Sequence, residues 1–406
     1  MHKQVLIAGG GIGGLAAALG CSRAGWEVRL YERADAFTEV GAGVQIGPNV
    51  VRRLQAWGLQ SALQAVAAFP DRLQVRSAQG GRELASLRLG ATVIERYGAA
   101  YATIHRADLH GLLFQAVRGR PEVHLNLGQA VERHAEEGGA VTLRLVRGDG
   151  TAVEVEGDAF IGADGLRSGT RARLLGETPT RVSGHLAYRA VVRQDALPQA
   201  LRTTRVTAWL GPRLHVVQYP LRRGELINVV AIRHGTPPAD LETWDHGANA
   251  QELEAALAGT CTALQDLVRA VPQAGSGWRL WPLLDRPPIA GPHEMARGLV
   301  ALLGDAAHPM RPYLAQGAGM AIEDAAELQR ALAMHDLDVP LRLRRYALNR
   351  WQRNARVQER SRRNGTIFHA TGPLRWGRDM ALRLLGERIL DVPWLYRGDG
   401  SSASLL

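Results

Sequence analysis

The sequence predicts an α/β fold in which a Rossmann-like nucleotide-binding part is interleaved with a mostly antiparallel β-sheet and followed by a helical C-terminus. Three observations predict it. A strand, a glycine-rich turn and a helix open the chain. Strand-like alternating segments fill its middle, and helix-period patterning dominates from about residue 340.

QVLIAGG is a short apolar run ending in glycines, as expected of a buried strand. Residues 13–24 read as a helix with Ala and Leu on its faces, and EVRLYER as a second strand ending at Glu32, with Arg33 next. Between strand and helix, Gly9, Gly11 and Gly14 stand at the G-x-G-x-x-G spacing. The first glycine permits the tight turn, the second lets backbone approach a pyrophosphate, and the third lets helix and strand pack closely. The helix start then offers unpaired N–H groups to the phosphates. Glu32, eighteen residues after Gly14, stands about where an acidic residue takes the ribose hydroxyls. A glycine-rich turn without a ligand would need neither the helix nor Glu32.

Further on, HRADLHGLL reads as a helix start with Arg106 just before it. FIGADGLRS is an apolar strand entering a turn, where Asp164 followed by Gly165 by itself marks only a tight turn. TRVTAWLG, RLHVVQYP and ELINVVAI read as three strands, the last two joined by a turn at residues 222–224. His215 and Tyr219, four apart on one strand, share a face. Residues 236–278 are loop-rich with helical pieces. LVALLGDAAH is a buried strand stopping at Gly304, which places Asp305 at a strand end; its structural alternative is a helix N-cap. AGMAIEDAAELQRAL reads as a helix with Ala318, Ile322, Ala325, Leu328 and Leu332 on one face, and Gly317 and Gly319 at its start let a planar group approach backbone. The segment from Arg342 to Arg363 carries nine arginines, while Leu343, Ala347, Trp351 and Ala355 recur every four residues. It reads as a long amphipathic helix whose arginines form a solvated face. The expected division is 1–75, 100–180 and 285–335 for the nucleotide-binding domain, 76–99 and 181–284 for a substrate domain, and 336–406 for the helical end.

Composition narrows the class. A chain of 406 residues suggests two or more domains, and 46% hydrophobic residues is ordinary for a globular protein. Cys21 and Cys261 form no C-x-x-C and no disulfide framework, which fits a reducing cytoplasm. No apolar run is long enough for a membrane span, and the glycines of the first apolar stretch separate it from a signal peptide. The net charge of +10 is carried by arginine, with Lys3 the only lysine. It reads as a basic surface before a nucleic-acid site, and no metal site is read. No second G-x-G-x-x-G is present.

The order GGGIGG, GADGLRS, GDAAHPMRPYLAQGAGMAIEDA resembles the single-component FAD-dependent aromatic hydroxylases, flavoprotein monooxygenases that consume NADH or NADPH. The last segment and the His215–Tyr219 pair resemble the subgroup of 3-hydroxybenzoate 6-hydroxylase, salicylate hydroxylase and 6-hydroxynicotinate 3-monooxygenase. The resemblance implies one non-covalent FAD, held by Gly9, Gly11, Gly14, Glu32, Arg33, Arg106, Asp164 and Asp305, with Gly317, Ala318, Gly319 and Met320 at the pyrimidine edge of the flavin. NAD(P)H would bind transiently, as co-substrate. It implies hydroxylation of a phenolic aromatic carboxylate by O2 through a flavin hydroperoxide. His215 is the expected base and Tyr219 its companion, both also in contact with substrate. Tyr313, Arg189 and Arg311 are further substrate candidates, the arginines for a carboxylate, and Tyr313 departs from the His or Gln of some relatives. Small molecules are the expected partners, with neither nucleic acid nor membrane, and a homodimer is compatible. Two other readings share the motifs: a flavin oxidase or epoxidase on a non-phenolic substrate, and a non-catalytic binder on the same fold. The intact QGAG helix start and Asp305 weigh against the binder.

Overall fold

The computed structural model describes residues 3–37, 42–176, 180–240, 246–247, 250–274 and 277–398. The chain divides into two compact units, each assembled from separated stretches. The first comprises Met1–Glu39, Ala107–Arg181 and Asp285–Ser361, and the second Val40–Arg106, Val182–Leu284 and Arg362–Leu406.

The first unit is built on a six-stranded sheet with Gln4–Ala8 inside it. That strand pairs in parallel with Glu27–Tyr31 on one side and Ala159–Gly162 on the other. Val123–Asn126 and Val300–Leu302 extend the parallel sheet outward, and Ala296–Arg297 closes one edge antiparallel. Val5, Leu6 and Ile7 have no exposed surface. A parallel strand covered on both faces must be apolar throughout, which is why QVLIA shows no alternation. Helix Ile12–Arg23 crosses helix Gly317–Leu332 so closely that a Cβ on Gly20 would stand 2.7 Å from the carbonyl oxygen of Ala325.

The second unit centres on an eight-stranded sheet in which Arg181–Arg193, Leu226–His234, Leu214–Leu221 and Val206–Gly211 pair antiparallel in turn and Val206–Gly211 runs parallel to Arg72–Ser77. One face carries Tyr188, Trp209, Leu214, Val216 and Val229 into a core completed by helix Thr262–Gln273. The other face carries His215, Val217 and Tyr219. The expected strands appear at Val206–Gly211, Leu214–Leu221 and Leu226–His234. The contact boundaries differ from the sequence partition. Residues 40–75 cluster with the second unit, because strand Arg72–Ser77 pairs into its sheet, and the helical end does not form a unit of its own.

One expectation is overturned. In the long helix Val339–Phe368 several arginines are not solvated. Arg350 has no exposed surface; its Nε donates to Asp324 (2.8 Å) and its Nη1 to Glu323 (3.0 Å). Arg353 donates twice to Glu323, at 2.6 and 2.8 Å, and Arg342 reaches the carbonyls of Leu332 and Leu337. The cause lies on the partner helix, Gly317–Leu332, where Glu323, Asp324 and Glu327 are buried beside its apolar residues. A buried carboxylate demands a cation or donors, and the arginines supply them. Asp324 accepts four bonds: from Gly304 N–H (3.1 Å), His308 Nε2 (2.5 Å), Arg350 and Asn354 Nδ2 (2.9 Å). Burial alone would raise its pKa, but the charges of His308 and Arg350 outweigh burial and hold the carboxyl well below the usual range. Removing one partner from such a network leaves buried charge uncompensated. Asp324→Asn should therefore destabilise the fold by about 3–5 kcal/mol, read as a lowered thermal midpoint; an unchanged midpoint would show that the network is dispensable.

Candidate active site

The glycines of the first motif have separable roles. Gly9 adopts φ +97°, and a Cβ there would stand 2.5 Å from the carbonyl oxygen of Ala163, in the second motif. A Cβ on Gly14 would stand 1.8 Å from the Gly9 carbonyl oxygen. These two positions exclude side chains because of the protein itself. A Cβ on Gly11 would meet no atom within 4 Å, so the open space there is what a ligand could fill. Gly11 is the N-cap of helix Ile12–Arg23, which has no side-chain cap and no acidic residue in its first turn. Its free N–H groups and dipole suit a pyrophosphate. Glu32 braces the loop, accepting from Gly10 N–H (2.7 Å) and Ala34 N–H (2.9 Å), and its oxygens retain lone pairs for hydroxyl donors. Arg33, next to it, is exposed.

The second motif is largely structural. Asp164 accepts from Ser168 Oγ (2.6 Å), Thr170 N–H (3.0 Å) and Thr170 Oγ1 (2.9 Å), while Ser168 caps helix Gly169–Leu175. Sequence reasoning missed Arg171, whose guanidinium donates to the carbonyls of Leu166 (2.7 Å) and Ala306 (2.8 Å) and so joins the second motif to the third. Burial lowers its pKa to about 10, which leaves it cationic. His110 was missed as well; its Nε2 lies 2.8 Å from the Gly10 carbonyl oxygen, and its ring stacks at a tilt on Phe37, which abuts Gly10.

In the third motif Asp305 is exposed between buried Gly304 and Ala306, and it belongs to a short 3-10 turn rather than capping a long helix. Its Oδ1 would lie 4.0 Å from a Cβ on Gly317, so the carboxylate stands at the start of helix Gly317–Leu332. That helix also lacks a side-chain cap. Gly317 and Ala318 are half-buried and Gly319 and Met320 buried. The Met320 N–H donates to Gln316 (2.8 Å), which leaves the N–H groups before it as the donors for a planar ligand edge. Arg106, exposed, opens helix Arg106–Arg118, its N–H bonded to the Ala42 carbonyl oxygen. Open backbone donors at two helix starts, a bracing Glu32 and an exposed Asp305 are the features that FAD requires.

The substrate candidates fall in both units. In the second, strand register puts Arg189 opposite Val230 and Val230 opposite Val217, so Arg189 shares the face of His215 and Tyr219. Its guanidinium lies over the Trp281 ring at 5.1 Å. Tyr219 is buried, and burial pushes its hydroxyl pKa far up. A Cβ on Gly43 would stand 2.6 Å from Tyr219 Cε2, and Gly43 N–H donates to Asn228 Oδ1 (2.7 Å). His215 has different surroundings: Nδ1 lies 2.7 Å from His369 Nε2, and Phe368 meets its ring edge-on. Four residues of strand separate the two by about 13 Å, so they share a face but not a single contact shell. Burial, then the charge of His185, lowers the pKa of His215 to about 3. In the first unit, Tyr313 is buried in the turn Pro312–Leu314, and Arg311 Nε donates to Asp285 (2.7 Å).

Two measurements follow from this geometry. Gly11→Ala should fold normally and lose FAD affinity, whereas Gly14→Ala should lose stability as well; equal FAD affinity in Gly11→Ala and the parent would refute the cradle. The second concerns acid. His215 folds with a pKa below its unfolded value, so between about pH 6.5 and 3 the unfolded chain binds more protons. Stability should be complete above pH 6.5 and fall as pH drops, by up to about 1.4 kcal/mol per pH unit from this group. Denaturant midpoints of His215→Asn should show the shallower pH slope.

A family model described as the FAD binding domain matches residues 2–361. The chain is 40% identical to 3-amino-4-hydroxybenzoate 2-monooxygenase of Streptomyces platensis, covering 97% of this chain and 96% of that one. It is 37% identical to 3-hydroxybenzoate 6-hydroxylase of Polaromonas naphthalenivorans strain CJ2, covering 97% and 95%. A solved salicylate hydroxylase substrate complex aligns with a TM-score of 0.80 at 27% identity, covering 99% and 97%. The chain belongs to the FAD-binding-domain family and is an FAD-dependent monooxygenase of the aromatic hydroxylase class.

Proposed function

We propose that the enzyme hydroxylates a phenolic aromatic carboxylate, of the hydroxybenzoate or hydroxynicotinate kind, at the expense of NAD(P)H and O2. The observation that carries this reading is Arg189, a guanidinium stacked on Trp281 on the sheet face of Tyr219 and His215. A planar, always-charged group held on an aromatic ring is suited to bidentate pairing with a carboxylate. Relatives named for hydroxybenzoates support the same substrate class. When bound, FAD reduced by NAD(P)H supplies the activated oxygen atom. With no second dinucleotide motif in the sequence, NAD(P)H acts as a transient co-substrate.

The side chains have divided tasks in this reading. Arg189 fixes the carboxylate and Tyr219 orients the ring through its hydroxyl. Glu32, Asp164 and Asp305, with the glycines, hold the FAD; Asp164 acts through the loop it braces. His215, neutral because burial depresses its pKa, accepts the phenolic proton as charge leaves the ring.

The test is NAD(P)H oxidation over hydroxybenzoates, hydroxynicotinates and the corresponding phenols and pyridinols without carboxylate, with product analysis. Arg189→Gln should raise KM for carboxylated substrates about ten- to a hundredfold, as expected for loss of a charge-assisted bond. His215→Ala should keep its FAD and lose at least tenfold in hydroxylated product per NAD(P)H consumed, the excess appearing as hydrogen peroxide. Preference for uncarboxylated rings, with KM unchanged in Arg189→Gln, would overturn the carboxylate reading. Wild-type coupling in His215→Ala would reduce that histidine to a core residue.

A further inference from the structure

Histidines far apart in the sequence gather on the second unit. His185 and His234 are directly opposed on neighbouring antiparallel strands, with rings stacked 4.3 Å apart. His369 follows the long helix Val339–Phe368, and its ring centroid lies 5.0 Å from His185 and 4.9 Å from His234. One ring nitrogen from each of the three lies within 4.8 Å of the others. His185 and His369 are buried, and His234 is exposed. The backbone fixes the arrangement. Arg213, in the turn between two strands, donates its N–H to the His369 carbonyl oxygen and accepts from the His234 N–H, both at 3.1 Å.

We propose that His185, His234 and His369 form a binding site for one borderline transition-metal dication, with Zn2+ the expected occupant. Three imidazoles without a thiolate match the ligand preference of zinc, nickel or copper rather than magnesium or calcium. Zinc–nitrogen bonds of about 2.0–2.1 Å require tetrahedral ligand atoms about 3.3 Å apart, so side-chain rotation of roughly 1.5 Å closes the site. Three protein ligands leave a fourth position for water, on the solvent side that His234 opens. Metal binding requires neutral imidazole, which the burial of His185 and His369 favours. The nearby cation Arg378 pairs with Asp379 at 2.8 Å, which offsets its charge. A bound ion would clip the end of the long helix to two strands of the sheet. Nothing in this arrangement depends on which aromatic substrate the enzyme takes.

The test uses the full chain loaded with FAD, freed of metal by a chelator and desalted. Zn2+ alone is titrated against a chromophoric chelator, and metal content is measured by elemental analysis. One Zn2+ per chain is expected, with affinity at least tenfold weaker in His234→Ala and His185→Ala. FAD content should be unchanged, because none of the three histidines is among the residues that hold FAD. His124→Ala, an exposed histidine on strand Val123–Asn126, should bind as the parent does. If His185→Ala fails to fold, His234→Ala, altered at an exposed position, still decides. Substoichiometric Zn2+, or equal affinity in the parent and in His234→Ala, would overturn the site.

Discussion

The carboxylate of Asp324 is the point on which the first unit depends. It stands on the helix that begins at Gly317, with no exposed surface, and receives donors from Gly304, His308, Arg350 and Asn354. Gly304 immediately precedes Asp305, so the bond to its N–H sets the backbone that presents the exposed carboxylate. Arg350 and Asn354 belong to the long helix, whose Tyr346 also donates to the Leu302 carbonyl oxygen at 2.9 Å. One acid thus holds a strand end, a helix and a loop together. Its contribution is better described as positioning than as net stabilisation, because the cost of desolvating such ions can equal what their attraction returns.

The same logic applies to the cofactor loop. Several polar groups around the loop have partners in the protein. Glu32 takes the N–H of Gly10, His110 takes the Gly10 carbonyl, and Arg171 gathers the carbonyls of two motifs. A dinucleotide would find the space at Gly11 and the two uncapped helix starts, with the exposed Asp305 beside the second of them. Preorganisation of this kind removes part of the entropy cost of binding.

Much of this was legible in the sequence, and the failures have physical reasons. The parallel strands, the glycine turn and the helix at Gly317 were readable because their signals are local: apolar runs, glycine spacing and period. Periodicity ranks arginine as polar and is blind to the acids opposite, so it puts Arg350 and Arg353 on a solvated face that the structure does not give them. Glu323 and Asp324 sit thirty or so residues earlier, on a helix whose apolar face was counted without them. Arg171 and His110 gave no local sign at all, since each acts through a carbonyl in another motif. His215 and Tyr219 were correctly placed on one face, since strand alternation fixes that, but alternation says nothing about what each meets. The cluster of His185, His234 and His369 lay beyond any spacing rule, because its members come from two strands and a helix end.

The surroundings of His215 bear on the proposed chemistry. An ordinary histidine sits about 3.5 units below a phenol in basicity. With a pKa of about 3, His215 lies about 7 units below, so full transfer of a phenolic proton to the resting imidazole is uphill by about 9–10 kcal/mol. A proton held by so weak a base before reaction would simply return to the ring. In the proposed reaction the phenolate and imidazolium would form as neighbours in a low-dielectric interior, and their attraction opposes the desolvation that depressed the histidine in the first place. The bond to His369 can share the new charge. Deprotonation is then most favourable when oxygen transfer is already drawing electrons from the ring. That places the proton movement within the hydroxylation step rather than ahead of it.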